Sequence, residues 1–227
     1  MSTDVDDHAA AGASAGATGG TAPGLPQLGK HRIEALVDGI FAVAMTLLVI
    51  DLRLPEHAHL ATSEQLRDAL VELAPNLYSW LVSFIVLAIF WMANHRLYSH
   101  VRHVDGALLW STILMLGGVS LLPFASAVNS TMASQLAQFV YSSVMIVIAL
   151  GALLVSHHIY RHPELCAHPM DRATWRGATV RTGGLIVIAA LAVPLAGWLP
   201  GYANFAYLLI FALRPLAGLL GRADIQQ

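Results

Sequence analysis

An acidic side chain lies within an apolar segment near the start of the chain. Asp38 interrupts the run from Ile33 to Ile50, and a carboxylate at the centre of a membrane helix costs roughly 2.5 to 3.5 kcal/mol, less toward the interface. We therefore expect Asp38 to have a polar partner inside the protein. Arg32 is six residues away, about 240° around a helix, so a second helix must contribute.

The same segment carries a stripe of residues at helical spacing. Gly39, Val43, Thr46 and Ile50 follow one another at steps of four, three and four, and Leu47 lies beside them. This spacing places the residues on one helix face. The stripe is apolar apart from one hydroxyl, and by spacing alone it fits a lipid-facing surface or a helix-packing surface.

Histidines offer the other candidate chemistry. His158 and His162 have the i, i+4 spacing that can ligate zinc on a helix, but Glu164 lies two residues off that spacing and no catalytic acidic motif accompanies them. We expect interfacial loop histidines and no metal site, with pH sensitivity near neutrality as an open alternative. The cluster consists of His157, His158, His162 and His168, with Cys166 nearby.

The composition places these residues in a membrane protein. Of 227 residues, 56% are hydrophobic and 11% are charged, against roughly a quarter charged in ordinary soluble domains. A soluble domain would need more charge on its surface, and a disordered chain would need fewer apolar residues. The net charge of −2, with 12 basic residues, gives no electrostatic basis for binding nucleic acid.

Six apolar stretches are close to the length that crosses a bilayer. Because backbone polar groups in lipid must be satisfied within the segment, each stretch is expected to be a helix. The predicted fold class is all-α, with one six-helix transmembrane domain over residues 30–222 between a disordered tail, 1–29, and a C-terminal tail, 223–227. The predicted helices cover residues 33–53, 70–93, 107–126, 134–156, 182–199 and 202–220.

The basic residues predict the orientation of these helices. In the six-helix arrangement ten of the twelve basic residues fall on one side, and only Arg53 and Arg67 fall on the other. By the positive-inside rule both termini are expected to be cytoplasmic, in a multi-pass protein of the cell membrane.

The first two stretches also carry a long motif. It consists of Arg32, Asp38, Gly39, Phe41 and Thr46 to Val49, followed by Trp91, His95 and Arg96 and, later, by Leu121 to Phe124. This pattern resembles bacterial members of the transmembrane protein 175 family, the endolysosomal potassium channel and its prokaryotic relatives. The chain departs from the family at Leu36-Val37, where relatives have Phe-Ser, and at Asn94-His95, where a histidine pair is frequent.

The resemblance implies a potassium-permeable channel of the leak type whose pore is lined by the first helices. Val43 would form a hydrophobic constriction, Thr46 a ring of hydroxyls, Leu47 and Ile50 further apolar layers, and Gly39 part of the lining. The chain has no Thr-Val-Gly-Tyr-Gly sequence, so the implied fold lacks the carbonyl-loop filter of the usual potassium channels. Potassium would be favoured over sodium because it holds its hydration water less tightly.

The resemblance also implies how the pore is supported and assembled. Arg32, Asp38, Trp91 and His95 would form a structural polar network behind the pore wall. One chain supplies one pore-lining helix, so self-association is required, and the family implies a homotetramer. No cofactor is expected besides the permeant potassium ion.

Other functional classes are less well supported by the sequence. A secondary transporter would be expected to show broken helices or internal repeats, and an enzyme would need convergent catalytic groups. Neither pattern is found, so no enzyme activity is expected. A transporter or a proton-permeable protein of the same six-helix architecture stays an alternative.

Overall fold

The chain folds into α-helices joined by short connections. The computed structural model describes residues 29–54, 62–132, 134–198, 206, 207 and 209. Over these residues the regular structure is helical, apart from one isolated bridge between Val101 and Cys166. The α-helices are α1 (Lys30–Leu47), α2 (Ser63–Glu72), α3 (Ala74–Tyr98), α4 (Gly106–Thr131), α5 (Gln135–Arg161) and α6 (Arg172–Trp198).

Five of these helices are long and apolar enough to cross a membrane. They are α1, which continues as a 3-10 turn to give a span over Lys30–Ile50, and helices α3 to α6. The five spans lie over the first five stretches found in the sequence. The sixth stretch, 202–220, falls outside the described residues except at three positions, and so do the tail 223–227 and all of the N-terminal tail except Gly29.

Two helices begin at places that the apolar pattern does not mark. The second stretch begins at residue 70, but helix α3 starts at Ala74, because Pro75 lies in its first turn, where the missing amide proton costs nothing. Helix α6 starts at Arg172, ten residues before the fifth stretch. Its first turns carry arginines, so a search for apolar residues passes over them.

Polar side chains cap the first turns of α2, α4 and α5. Asp105 accepts a hydrogen bond from the Leu108 amide at 2.8 Å at the start of α4, and Ser134 accepts one from the Ala137 amide at 3.2 Å at the start of α5. Thr62 and Gln65 form a reciprocal capping box on α2. These contacts satisfy amide groups that a helix leaves without partners in its first turn.

Helices α4 and α5 pack closely through glycine. A Cβ atom placed on Gly151 would lie 2.6 Å from the amide nitrogen of Met115, and one on Gly118 would lie 2.7 Å from the side chain of Ile148. Met115 and Ile148 are themselves fully buried. Small residues at these crossings let the two backbones approach, which is how membrane helices gain van der Waals contact without a hydrophobic driving force.

Buried hydroxyl groups join three helices within the bundle. The Ser83 hydroxyl of α3 lies 3.1 Å from the Ser126 hydroxyl of α4 and 3.0 Å from the Tyr141 hydroxyl of α5. The Ser142 hydroxyl lies 3.0 Å from that of Tyr207, whose ring meets Tyr141 edge to face. A buried hydroxyl without a partner is costly, so these bonds fix how the helices are rotated against one another.

The glycine crossing gives a stability prediction with an internal control. Gly151→Ala forces a Cβ against backbone that cannot move aside, and we expect a loss of roughly 1 to 3 kcal/mol. Gly117→Ala is the matched control, because a Cβ at that exposed position of α4 meets nothing within 4 Å among the described residues. Thermal unfolding in detergent compares the two variants. Equal unfolding temperatures would contradict the close approach of α4 and α5.

Candidate functional site

Helix α1 has two faces with different surroundings. One stripe packs into the core of the bundle, and its members are Ile33, Val37, Phe41, Ala44 and Leu48. The stripe found in the sequence points the other way. There the Val43 side chain is 57% exposed, and Gly39, Thr46, Leu47 and Ile50 are exposed as well. The single chain therefore leaves an apolar helix face without a protein partner among the described residues.

A shallow groove runs along this exposed stripe. Its volume is about 360 Å³, and helix α4 contributes Ser120 to its wall. The remaining lining residues come from α1 and are Ala35, Leu36, Gly39, Ile40, Val43, Ala44 and Leu47. The groove is mostly apolar, so it suits the packing of another helix or the wall of a narrow water-filled pore.

The one hydroxyl of the stripe is held by its own helix. Thr46 donates its hydroxyl proton to the carbonyl oxygen of Val43 at 2.8 Å. Its oxygen keeps its lone pairs on the exposed face.

Asp38 finds its expected partner on a second helix. The Trp91 indole of α3 donates a hydrogen bond to the Asp38 carboxylate, with 2.8 Å between Nε1 and Oδ1. One turn further along α3, the His95 ring stacks on Trp91 with 6.1 Å between ring centroids. Three of the four residues of the expected polar network thus lie together.

Arg32 does not take part in this contact within the single chain. Among the described residues it forms no hydrogen bond or ion pair with Asp38. It lies about two turns before Gly39 and is exposed, so it belongs to the same face of α1 as the stripe. Val37, which stands where relatives have serine, is buried in the apolar core. The polar contact of Asp38 here is with Trp91.

Three further contacts hold the ends of α1 and were not expected. Glu34 lies 3.5 Å from Lys30 and 3.4 Å from His31 at the first turns. The spacing of four residues between Lys30 and Glu34 could have predicted their ion pair, because residues four apart are neighbours on a helix. At the other end, Arg53 donates a hydrogen bond to the Ile50 carbonyl at 3.1 Å. No pattern in the sequence marks this bond, because it depends on how the chain leaves the helix.

The histidine cluster forms pairs with carboxylates. His158 lies 2.8 Å from Asp105 and His162 lies 2.7 Å from Glu164, and the two imidazole rings are 4.4 Å apart. No group of three or more histidine, cysteine or acidic side chains is placed to hold a metal ion within the described part of the chain. His168, further along, is exposed.

Asp105 joins the cap of α4 to this cluster. Burial raises the pKa of the Asp105 carboxyl, but hydrogen bonds from the Leu108 amide and the His158 ring outweigh that effect and hold the pKa below its ordinary value. The carboxylate is therefore charged at neutral pH. It ties the start of α4 to the end of α5.

A chain whose described part is helical, with five apolar spans and polar contacts between its helices, has the features of a multi-pass membrane protein. The family described as "Endosomal/lysosomal potassium channel TMEM175" matches residues 32–123. A potassium channel of Streptomyces collinus is 32% identical over 169 residues, which cover 72% of this chain and 79% of that protein. A potassium channel of Chamaesiphon minutus is 31% identical over 190 residues, covering 81% of this chain and 93% of that one.

Solved structures and animal relatives agree with this match. The crystal structure of a lysosomal potassium-selective channel TMEM175 homolog from Chamaesiphon minutus superposes with a TM-score of 0.65 at 24% identity, over 83% of this chain and 97% of that one, and shows the same fold. The human endosomal/lysosomal proton channel TMEM175 is 33% identical over 113 residues, which are 48% of this chain and 22% of the human protein. The chain belongs to the TMEM175 family, a family of ion channels and not of enzymes.

The contact between Asp38 and Trp91 can be tested directly. Trp91→Phe keeps an aromatic ring but removes the indole donor, and we expect a loss of about 1 kcal/mol because the carboxylate then lacks its partner. Trp110→Phe is the control, since Trp110 is 68% exposed on α4. Unfolding temperatures in detergent should fall for Trp91→Phe only. Equal effects of the two substitutions would argue against the hydrogen bond.

Proposed function

We propose that the chain is one subunit of a potassium-permeable channel of the leak type that favours potassium over sodium, with a hydrophobic constriction formed by α1. The observation that carries this proposal is the exposed apolar stripe on α1, on the face opposite its core-packing residues. The bacterial relatives that are named potassium channels support it. No cofactor is needed for such a function.

In this proposal Val43 acts as the constriction. A ring of valine side chains offers no oxygen to replace the water that an ion sheds, so the ion that holds its water less tightly passes more easily. Potassium is that ion, and the preference is moderate. The same apolar ring can empty of water and stop the current, which makes it a gate as well.

Thr46 stands next to the constriction and Leu47 and Ile50 continue the lining toward the outer side, with Gly39 on the inner side. Because the Thr46 hydroxyl donates a hydrogen bond to the Val43 carbonyl, the lone pairs of its oxygen are available to a cation. The hydroxyl ring would partly compensate the dehydration at Val43.

Assembly follows from the number of pore helices. One α1 helix cannot enclose a pore, so several chains must place their exposed stripes around a common axis, and a homotetramer in the lipid bilayer is the proposed state. The bond between Asp38 and Trp91, with His95 against it, would brace α1 from behind. Arg32, on the exposed face, would complete this network at the contact between subunits.

The proposed topology is one channel domain over residues 30–222. The proposal includes a sixth membrane helix over 202–220, a stretch that lies outside the described residues except at three positions. In this proposal both termini are cytoplasmic, in a protein of the cell membrane. The distribution of arginine and lysine supports this orientation.

The constriction is tested by shortening one side chain. Val43→Ala widens the ring, and we expect a higher single-channel conductance or a lower preference for potassium. Val49→Ala is the matched control, because Val49 is 51% exposed, close to the 57% of Val43, but lies outside the stripe. The measurements are the single-channel conductance and the reversal potential of purified protein in liposomes, with potassium on one side and sodium on the other.

Each result of this experiment has a definite meaning. A reversal potential shifted toward the potassium equilibrium in the unmodified protein, and altered only by Val43→Ala, supports the proposal. Unchanged permeation in Val43→Ala would remove Val43 from the pore. Flux that requires a coupled second gradient would indicate a secondary transporter instead.

Proton permeation is the second candidate, because the vertebrate relatives are named endosomal/lysosomal proton channels. The same liposomes answer this question with a pH-sensitive dye inside and a proton gradient across the membrane. Acidification that persists without potassium, and that Val43→Ala changes, would indicate protons as a permeant ion of the same pore.

Assembly around α1 gives a second prediction. A Cβ on Gly39 meets nothing within 4 Å among the described residues, and the same is true of Gly183 on α6. We expect Gly39→Leu to reduce the tetramer fraction several-fold, since a close helix contact tolerates only small residues. Gly183→Leu should leave assembly unchanged. Light scattering in detergent measures both, and a normal tetramer in Gly39→Leu would contradict contact between subunits at Gly39.

A further inference from the structure

A second groove lies away from the exposed face of α1, between the start of α4 and the end of α5. Its volume is about 460 Å³, and its lining consists of Ser111, Leu154, His157, His158, Arg161 and His162. Five of these six residues carry polar groups, and one of them is an arginine. The groove on α1 has no charged residue in its lining, so the two surfaces differ in chemistry.

Nitrogen donors converge on this groove. Arg161 uses only its Nε atom, in a long 3.5 Å contact with Nε2 of His157. Within the described chain the terminal amino groups of Arg161 have no hydrogen-bond partner. A guanidinium is always charged and its donors match phosphate oxygens in a fork. The arrangement is therefore suited to an anionic oxygen ligand.

The neighbouring carboxylates orient this site without lining it. Asp105 holds one nitrogen of His158 and Glu164 holds one nitrogen of His162, and neither carboxylate belongs to the groove lining. The other ring nitrogens of these two histidines have no hydrogen-bond partner among the described residues. The positive end of α4 and the negative end of α5 lie side by side, so their helix fields oppose one another, and the positive charge in the lining itself comes from Arg161.

Two aromatic rings lie beside the groove, at the ends of α5 and α6. Tyr160 and Trp175 stack beside it with 4.5 Å between ring centroids, and Trp175 approaches His157 at 6.2 Å. Tryptophan and tyrosine concentrate where a membrane meets water. Below the basic end, Leu150 and Leu154 continue one exposed apolar stripe of α5, which offers acyl chains a surface.

We propose that this groove binds the phosphate of an anionic phospholipid, with Arg161 as the principal contact and His157 and His162 as further donors. The apolar stripe under the groove and the aromatic pair beside it favour a lipid over a soluble anion. Basic pockets between membrane helices on the cytoplasmic side are a known way to hold such headgroups. The inference stands apart from the pore, because none of these residues lies on α1.

Native mass spectrometry of the purified full chain tests this binding. The probes are phosphatidylglycerol, which is anionic, phosphatidylcholine, which is zwitterionic, and inorganic phosphate as a competitor. We expect phosphatidylglycerol to bind more tightly than phosphatidylcholine. Arg161→Gln should weaken phosphatidylglycerol binding about tenfold, as expected for the loss of one charge-assisted contact. His157→Gln, a second variant at the groove, should weaken it less.

Arg172→Gln is the matched control. Arg172 is exposed at the same end of the bundle, and its substitution removes the same charge outside the groove. Equal weakening by Arg172→Gln would show a general charge effect and overturn the site. Equal binding of the two lipids, or displacement of phosphatidylglycerol by low concentrations of phosphate, would overturn the lipid as occupant. The assay records binding and not flux, so its failure would leave the channel proposal intact.

Discussion

Water is absent from the interior of a bilayer, and the polar groups of the bundle must therefore find partners in the protein. The Asp38 carboxylate accepts a hydrogen bond from the Trp91 indole, and the Ser83 hydroxyl forms hydrogen bonds with those of Ser126 and Tyr141. Each of these contacts joins residues from different helices. Each one consequently fixes the rotation of a helix about its axis, and that rotation decides which side chains are buried and which are left exposed.

Helix α1 shows the effect most clearly. Asp38 lies between the buried stripe that includes Phe41 and the exposed stripe that includes Val43. A hydrogen bond at this boundary holds both stripes in place at once, because turning the helix would withdraw the carboxylate from Trp91. The polar contact thus controls the orientation of an apolar surface without belonging to it. On this one helix, Asp38 fixes the orientation, and other residues, such as Val43, form the exposed surface.

Much of this arrangement is contained in the sequence, and the rest depends on how helices meet. Helical spacing alone put Val43 and Ile50 on one face, and the cost of a carboxylate in lipid required a partner for Asp38 from another helix. The spacing did not say which face would be buried, since that depends on contacts with α3 and α4. The resemblance to a family, and no pattern in the chain itself, pointed to Trp91. Residues such as Gly151 show their role only once the neighbouring backbone is in place.

The exposed face of α1 cannot associate through the hydrophobic effect, because lipid tails are as apolar as its side chains. In the proposed channel, contact between subunits would therefore come from shape. Ala35, Gly39 and Ala42 are small, exposed and spaced by four and three residues, and they lie beside the larger Val43, Leu47 and Ile50. Small residues let neighbouring helices approach, while the larger ones next to them would then be directed toward the axis. In the proposed channel, close packing between α1 helices and a narrow apolar constriction would therefore arise from two adjacent stripes of one helix.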